Sequence, residues 1–357
     1  MSAADGRRKM SVGLLDGIMV LEVAEGVPGP MCGKTLADLG AHVVRIESPS
    51  GDWLRQLSPG DPDGGPIYRQ LNAGKPVRQL DLKTAPGQAE LHRLARDADA
   101  IIVGHRGKSL HVLGLEPAAL QAVAPRMVHC HISGWGSGGP LDGKAASELA
   151  VQVVAGLTRY LGSAGASPVR QGFDLVSVNT GFAAAQAILA ALLWRAGSGR
   201  GQAVEVSMLA TAVALMQWSL TAGSGPDEWK GRQLLSQDWP EDHGFQCADT
   251  RCLIDLRSNE EAWPGLLADI GCSDLADDPR FATRATVDLN ASLLPRLTSV
   301  RLAEWSFSDL QALVRDKYRG TIVPMLSLPE VLDHAQVRHL GLVAPGSPAR
   351  LRFPLTR

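Results

Sequence analysis

In the first half of the chain, short runs of aliphatic residues alternate with longer segments in which apolar residues recur every three or four positions. The aliphatic runs are typical of buried strands, and the longer period is typical of amphipathic helices. The pattern predicts strands at 17–24, 41–48, 99–104 and 127–136, and helices at 30–40, 85–98 and 109–125. Strands that alternate with single helices favour right-handed crossovers, so we predict an α/β fold with a mostly parallel sheet.

The second half begins with Ala-rich helices and then changes in composition. Helices are predicted at 146–161 and 178–196, followed by the strand "QAVEVSM" and a helix to about Leu220. Pro, Gly, Asp and Trp then cluster in "GSGPDEWKG", as they do in linkers. Beyond this linker the pattern predicts a smaller α+β unit with the strand "CLIDLR" and helices at 260–271 and 302–317, and then a tail of one helix and an extended segment.

Composition and charge narrow the classes of function. The 357 residues are 45% hydrophobic, and 35 Lys and Arg against 37 Asp and Glu give a net charge of -2. This balance provides no basic face for nucleic acid. Because no uncharged apolar stretch reaches about 18 residues and the N-terminus lacks a signal-peptide pattern, neither a membrane span nor export is expected. Five cysteines without a C-x-x-C pair indicate reduced thiols in a cytoplasmic protein.

Two motifs invite a cofactor or metal interpretation. Residues 26–33 have the spacing G-x-x-G-x-x-x-G, whereas the dinucleotide fingerprint is G-x-G-x-x-G, so NAD is not expected. The loop still follows a predicted parallel strand, where ligands bind in such sheets. His129 and His131 alternate on one predicted strand, but no third Cys or His lies at zinc-ligand spacing, so we predict no metal.

The stretch "SPVRQGFDLVSVNTGFAAAQ", at 167–186, leads from a turn into an apolar helix. Ser177 could cap this helix by accepting an amide hydrogen bond in its first turn, and Asp174 could do the same if the helix begins earlier. Asp174 lies three residues before Ser177, so within one helical turn the two side chains would share a face. Either residue can therefore be a cap or a member of a catalytic site.

Six segments that together span nearly the whole chain occur in a characteristic order. They are "LLDGIMVLEVAEGVPGPMCGKTLADLGAHVVRIESPSGD", "LNAGKPVRQLDLKTAPGQAEL", "MVHCHISGWGSGGPL", "ELAVQVVAGLT", "SPVRQGFDLVSVNTGFAAAQAILAALLWRAGSGRGQAVEVSML" and "LPEVLDHAQVRHLGLV". As an ordered set they resemble CoA-transferase family III, the CaiB/BaiF-like group that includes formyl-CoA transferases, carnitine-CoA transferases and α-methylacyl-CoA racemases.

The resemblance implies a Rossmann-like large domain at 1–224, an inserted α+β domain at 225–325 and a segment at 326–357 that returns to the large domain. It also implies an intertwined dimer, either a homodimer or a heterodimer with an Asp-bearing paralogue. The implied ligands are coenzyme A, as an acyl-CoA substrate, and a carboxylic acid acceptor. The phosphates of CoA would lie near loops that carry Val27, Pro28, Asn72, Lys75, Arg106 and Lys108.

The resemblance also assigns the nucleophile. Transferases of this family use an Asp carboxylate that becomes a mixed anhydride and then an aspartyl-CoA thioester, and their pattern places that Asp at position 177, where this chain has Ser177. The racemase branch uses a His–Asp pair, which falls near Ser147, beside Glu148, and again on Ser177. A serine needs a neighbouring base and would form an ordinary ester, so the usual transfer cycle is expected to fail at this residue.

Three hypotheses follow for a site so altered. The chain is an active enzyme in which Asp174 has taken over the chemistry, or it is a non-catalytic subunit that binds acyl-CoA beside an Asp-bearing partner. Alternatively it carries out isomerisation, dehydration or thioester hydrolysis of an acyl-CoA, with Glu148, Asp174 or His131 as the general base. The candidate catalytic residues are therefore Ser177, Asp174 and Glu148.

Overall fold

The chain folds as alternating strands and helices up to residue 217. The computed structural model describes residues 13–105, 107–160, 169–217, 244–256, 262–283, 286–287, 290, 293–340, 342–344 and 350–351. The elements up to residue 217 are β1 (Met19–Val23), α1 (Pro28–Asp38), β2 (His42–Glu47), a 3-10 helix (Trp53–Leu57), α2 (Gly65–Asn72), β3 (Val77–Gln79), α3 (Ala85–Ala95), β4 (Ala100–Val103), α4 (Gly107–Val112), α5 (Pro117–Val123), β5 (Val128–Ser133), α6 (Glu148–Val154), α7 (Leu157–Tyr160), α8 (Leu175–Ser198), β6 (Ala203–Ser207) and α9 (Met208–Leu215).

Six of the strands form one parallel sheet in the order β3-β2-β1-β4-β5-β6. The central strand β1 places Leu21 opposite Val44 of β2 and opposite Ile101 of β4. The strand order reverses between β1 and β4, and in open parallel sheets ligands bind outside the carboxyl ends of the strands at such a point. The predicted α/β fold with a mostly parallel sheet is confirmed.

Alternate residues of β1, β2 and β4 face two separate cores, one on each side of the sheet. Val20 and Ile102 belong to the core that α1 and α8 cover, whereas Leu21 and Ile101 belong to the core that α3 and α5 cover. Strands that are buried on both faces are mostly apolar, because each side chain leaves water whichever way it points. This explains why the strands appear in the sequence as continuous aliphatic runs.

Several elements differ from the sequence-based predictions. The predicted helix 146–161 is two helices, α6 and α7, because Gly156 between them takes a left-handed conformation (φ 82°). The edge strand β3 was missed because its three residues are all exposed, so no apolar run marks it. The predicted helix 109–125 is two helices, because Gly114 takes a left-handed conformation (φ 67°) and Pro117 starts α5. The predicted helix 302–317 was wrong in its start: Leu302 ends one helix, and Ser306 caps the next by accepting a hydrogen bond from the Asp309 amide at 3.1 Å.

Helix α8 is, among the residues that the structure describes, the one long and apolar enough to cross a membrane by length and composition. Its buried side is made mostly of small residues that pack against the sheet and α1, with Ala184, Ile188 and Ala191 in the core. Such one-sided burial fits the core helix that the sequence predicts here.

The remaining elements are β7 (Phe245–Gln246), β8 (Arg251–Asp255), α10 (Ala262–Asp269), α11 (Ser273–Ala276), a 3-10 turn (Pro279–Phe281), α12 (Leu294–Leu302), α13 (Phe307–Ala312), a π-type turn (Leu313–Lys317), β9 (Thr321–Pro324), α14 (Leu328–Asp333), α15 (Ala335–His339), β10 (Val343–Ala344) and β11 (Arg350–Leu351). The strands β7, β8 and β9 form an antiparallel sheet. Side chains from this sheet and from α10 to α13 form a separate core around Phe281, Leu266 and Leu310.

The described residues belong to two compact units. The first lies within Met1–Ala155, Gln171–Leu215 and Ala335–Arg357, and the second within Gly156–Arg170 and Met216–His334. The predicted domain boundary near residue 224 falls outside the described residues, so the boundaries at 224 and 325 stay predictions.

Candidate functional site

Helix α8 begins at Leu175, two residues before Ser177. Asp174 occupies the N-cap position with φ -78° and ψ 62°, and its side chain makes no capping hydrogen bond. Its carbonyl accepts the first helical hydrogen bond, from the Val178 amide at 3.0 Å. Asp174 therefore lies just outside the helix. The early helix start under which Asp174 and Ser177 would share a face is not observed.

The cap of α8 comes instead from Glu148, the first residue of α6. One carboxylate oxygen of Glu148 accepts hydrogen bonds from the Val176 amide at 2.9 Å and from Gln152 Nε2 at 2.8 Å. The other accepts from the Ser177 amide at 2.8 Å and from Ser177 Oγ at 2.6 Å. A carboxylate in this position satisfies free amides at the positive end of the helix dipole, which stabilises both the helix start and the anion. The two sequence-predicted capping residues therefore do not cap, and Ser177 donates its hydroxyl hydrogen.

Neighbouring side chains hold Glu148 in place. Ser147 caps α6 by accepting a hydrogen bond from the Ala150 amide at 3.2 Å, so the helix that carries Glu148 has a defined start. Gln152, fully buried one turn later, donates to Glu148 and accepts from the Gln171 amide at 3.2 Å. Ser177 is 5% exposed, so the Ser–Glu pair lies at the edge of the core.

Helix α8 packs closely on the start of α1. A Cβ atom on Gly181 would lie 2.6 Å from Met31 Cβ and 2.8 Å from the Pro28 carbonyl oxygen. Gly181 lies one turn after Ser177, so this close approach brings the Ser177 turn towards the loop that carries Val27 and Pro28. The structure thus brings the predicted catalytic helix and one predicted cofactor loop to the same edge of the sheet.

The loop after β1 is held by an acidic side chain. Gly26 has φ 79°, and its amide donates to the Asp52 carboxylate at 3.2 Å. The Val27 carbonyl accepts from the Met31 amide at 2.9 Å, and Pro28 is the first residue of α1. A loop with this geometry opens α1 at the carboxyl end of β1, beside the point where the strand order reverses.

Behind this loop lies a buried ion-pair network that sequence reasoning missed. Arg45 Nη1 bonds Glu22, Arg45 Nε bonds Glu47 at 2.7 Å, and Arg45 Nη2 bonds Asp52. The side chain of Arg45 is fully buried. Burial by itself lowers the pKa of Arg45, but Glu22 and the two other carboxylates outweigh it, so the net pKa is raised and the guanidinium stays charged. The sequence does contain a signal for this network, because Glu22 and Arg45 are oppositely charged residues inside two adjacent aliphatic strands.

Lys75 belongs to the same network. Its Nζ donates to Glu22 Oε2 at 2.7 Å, to the Pro30 carbonyl at 2.8 Å and to Asn72 Oδ1 at 3.3 Å. Asn72 in turn donates to the Tyr68 carbonyl at 3.0 Å. Burial lowers the pKa of Lys75, and the attraction of Glu22 opposes the shift. Since all three ammonium hydrogens have acceptors, a CoA phosphate would have to replace one of these partners to contact Lys75.

The other predicted phosphate ligands are not described at the side-chain level. Arg106 lies outside the described residues, and the side chain of Lys108, in α4, lies outside them as well. The two histidines of β5 bond to backbone carbonyls: His129 Nε2 lies 2.9 Å from the Leu115 oxygen, and His131 Nε2 lies 2.8 Å from the His105 oxygen. Within the described part of the chain, no group of three or more His, Cys, Asp or Glu side chains could hold a metal.

The model of CoA-transferase family III matches residues 15–354. The chain belongs to CoA-transferase family III. A protein of Mycobacterium tuberculosis named probable fatty acyl-CoA transferase Rv3272 is 31% identical over 310 residues, which cover 82% of this chain and 78% of that protein. The succinate–glutarate CoA-transferase of Agrobacterium fabrum is 28% identical over 342 residues, covering 92% of this chain and 84% of its own length.

Solved structures agree with this family assignment. The crystal structure of a CAIB/BAIF family protein from Brucella suis matches with a TM-score of 0.84 and 27% identity, covering 95% of this chain and 91% of that one. Rv3272 itself matches with a TM-score of 0.77 and 28% identity, covering 96% of this chain and 92% of that one. Membership of family III therefore supports acyl-CoA chemistry for this chain.

Proposed function

We propose that the chain binds an acyl-CoA thioester and transfers CoA between carboxylic acids, with Glu148 as the carboxylate that reacts. The observation that carries this proposal is the position of Glu148 Oε2, 2.6 Å from Ser177 Oγ and 2.8 Å from the Ser177 amide nitrogen. The side chain at 177 is where the family resemblance expects the reacting acid. Glu148 therefore brings a carboxylate to the place from which the Asp is missing.

A carboxylate at this place can run the transfer cycle without a base. Glu148 attacks the thioester carbonyl, which forms a mixed anhydride and releases the CoA thiolate. The thiolate then attacks the Glu148 carbonyl, which gives a glutamyl-CoA thioester and frees the donor acid. The acceptor carboxylate repeats both steps in reverse order and leaves as a new acyl-CoA, with Glu148 restored.

The start of α8 supplies hydrogen-bond donors for this cycle. When the thiolate attacks the Glu148 carbonyl, negative charge develops on the carboxyl oxygen that remains. The Val176 and Ser177 amides already point at the Glu148 oxygens, at 2.9 and 2.8 Å. Fixed donors aimed at a developing oxyanion are among the larger contributions to catalysis. Ser177 is in this proposal a donor to the reacting carboxylate.

The substrate class follows from the family. The matched relatives carry the names of a fatty acyl-CoA transferase and a succinate–glutarate CoA-transferase. For this chain we propose an acyl-CoA donor and a carboxylic acid acceptor, with the CoA phosphates near the loop of Val27 and Pro28 and near Arg106 and Lys108. The carboxyl edge of the sheet, where the loop lies, supports this placement.

The decisive experiment identifies the residue that carries CoA. The full chain is incubated with a panel of acyl-CoAs, quenched in acid and digested with trypsin. Cleavage after Lys144 and Arg159 gives a peptide that contains Glu148, whereas Ser177 and Asp174 share the peptide 171–195. We expect CoA, less one water, on the Glu148 peptide. An adduct on the 171–195 peptide would instead assign the chemistry to Ser177 or Asp174.

Two variants form a matched pair for kinetics. Glu148→Gln keeps an acceptor for the α8 amides but loses the nucleophile, so we expect CoA transfer to fall by on the order of 1,000-fold or more. Ser177→Ala removes one hydrogen bond to the carboxylate and leaves it in place, so a loss of about tenfold is expected. CoA affinity, measured by calorimetry, should be retained in both. A Glu148→Gln enzyme with wild-type turnover rules the proposal out.

A second candidate is the non-catalytic subunit, and one observation favours it. Each oxygen of Glu148 already accepts two hydrogen bonds, which is what a purely structural helix cap requires. A non-catalytic chain binds CoA in calorimetry but forms no adduct and turns over no acyl-CoA in the panel. Co-purification with an Asp-bearing paralogue would then be the expected result.

We propose a homodimer as the working assembly. The exposed sides of α6 and α9, both in the first unit, present large apolar side chains to solvent: Leu149, Val153, Val154, Val213 and Leu215. Apolar residues clustered on neighbouring helices mark surfaces that other proteins cover. Light scattering coupled to size exclusion should give twice the 37.9 kDa of one chain; a monomer at micromolar concentration would contradict this.

A further inference from the structure

Two cysteines of the second compact unit, called the small unit below, face each other inside its core. Cys247 Sγ lies 3.5 Å from Cys252 Sγ, and the residues are 1% and 0% exposed. Both belong to the β7–β8 hairpin, in which Phe245 pairs with Cys252 and the Cys247 amide donates to the Thr250 carbonyl at 2.8 Å. Alternate residues of a strand share a face, so the two thiols lie diagonally across the hairpin on its buried side.

The distance between the sulfurs is short enough for a bond. A disulfide needs its sulfurs about 2.05 Å apart. The two Sγ atoms must therefore approach by roughly 1.5 Å, through rotation of the cysteine side chains about χ1 together with a shift of the hairpin backbone. In the described part of the chain, no third His, Cys, Asp or Glu completes a metal-binding group around the pair.

We propose that Cys247 and Cys252 form a redox modification site, which a peroxide converts into an intrachain disulfide and a thiol reductant restores. Hydrogen peroxide oxidises one thiol to a sulfenic acid and is reduced to water. The second thiol attacks this sulfur, the S–S bond forms and a second water leaves. The inference concerns the small unit and does not rest on the proposed transfer activity.

Cys247 is the expected first target. It adjoins the exposed turn residues Ala248 and Asp249, whereas Cys252 lies within β8. Burial raises the pKa of both thiols, so the thiolate is scarce and oxidation should be slow compared with that of an exposed low-pKa cysteine. Once the sulfenic acid forms, its partner is already adjacent, which favours the disulfide over further oxidation.

The sequence makes the product easy to identify, because Arg251 lies between the two cysteines. The folded full-length protein is treated with hydrogen peroxide, unfolded in N-ethylmaleimide to block free thiols, and digested with trypsin. We expect peptide 233–251 joined to peptide 252–257, lighter than the sum of the two by two hydrogens and separated by reductant. Cysteines that emerge in separate peptides, blocked or over-oxidised, overturn the proposal.

Two cysteine variants test whether the cross-link joins Cys247 and Cys252 and not another pair of cysteines. Cys272→Ser, also in the small unit, should leave the cross-linked pair unchanged. Cys252→Ser should abolish it and leave Cys247 as a sulfenic or sulfinic acid; Cys252→Ala serves if the hydroxyl disturbs the core. A cross-link from Cys247 to the peptide that contains Cys272 in the wild-type protein would also contradict the assignment.

Discussion

The contact between Ser177 and Glu148 is the main feature of the molecule at the scale of single residues. Position 177 carries a hydroxyl where the family pattern expects an acid, and Glu148, 29 residues earlier in the chain, places its carboxylate 2.6 Å away. As nucleophiles, a hydroxyl and a carboxylate differ. The hydroxyl requires a neighbouring base, whereas the carboxylate is already an anion at neutral pH. In the proposed function, this contact is what makes Glu148, and not Ser177, the reacting group.

Arg45 provides a prediction at the same scale. It contacts three buried carboxylates, those of Glu22, Glu47 and Asp52, and removing one partner of a buried ion pair leaves uncompensated charge. We expect Arg45→Met to lower the free energy of unfolding by about 3–5 kcal/mol in urea titrations. Arg93→Met, which breaks the exposed pair with Glu90, is the matched control and should leave the free energy of unfolding nearly unchanged. Equal losses in the two variants would show that the network is not a stabilising unit.

At the scale of elements, α8 connects the core to the candidate site. Its N-terminal turn presents Ser177 to Glu148, and its next turn packs on α1 through Gly181. The sequence shows α8 as an apolar helix and places Gly181 within it. It does not show that this glycine permits backbone contact, because its partners, Pro28 and Met31, lie some 150 residues away in the chain.

Two glycines of α8 allow a test within one helix. A Cβ at Gly181 would lie 2.6 Å from Met31 Cβ and 2.8 Å from the Pro28 carbonyl oxygen. This oxygen belongs to the backbone, so it cannot move away unless the main chain shifts. Gly181→Ala should cost about 1–3 kcal/mol and separate α8 from α1. Gly197→Ala meets no atom within 4 Å, so it should be neutral or stabilise by up to about 1 kcal/mol. Thermal unfolding of the two variants provides the measurement; a stabilised Gly181→Ala protein would contradict the close packing.

At the scale of the whole molecule, the described residues belong to two units whose main sheets differ in topology. The larger unit is a doubly wound parallel sheet with two cores, and the smaller has an antiparallel sheet with a core of its own. Histidines in the larger unit link its stability to pH. Burial lowers the pKa of His129 and of His105, so both prefer the neutral form in the folded chain.

The direction of the pH effect follows from these shifts. Below about pH 6.5 the histidines of the unfolded chain take up protons before those of the folded chain do, so stability falls as the pH decreases through this range. Each group contributes a slope of up to about 1.4 kcal/mol per pH unit. His129→Gln should reduce the slope between pH 6.5 and 5 in urea titrations, because one titrating group is gone. An unchanged slope would mean that His129 titrates alike in both states.

The sequence by itself determined the α/β architecture, the positions of most strands of the large sheet and the membership of family III, because these depend on local apolar period and on an ordered set of motifs. It also directed attention to Ser177, Asp174 and Glu148. Only the tertiary structure decided that Glu148 caps α8 and bonds Ser177, that Lys75 and Arg45 serve one buried network, and that two cysteines meet across a hairpin. These are contacts between residues distant in the chain or across a turn, and their distances are set by how helices and strands pack, which the order of residues alone does not state.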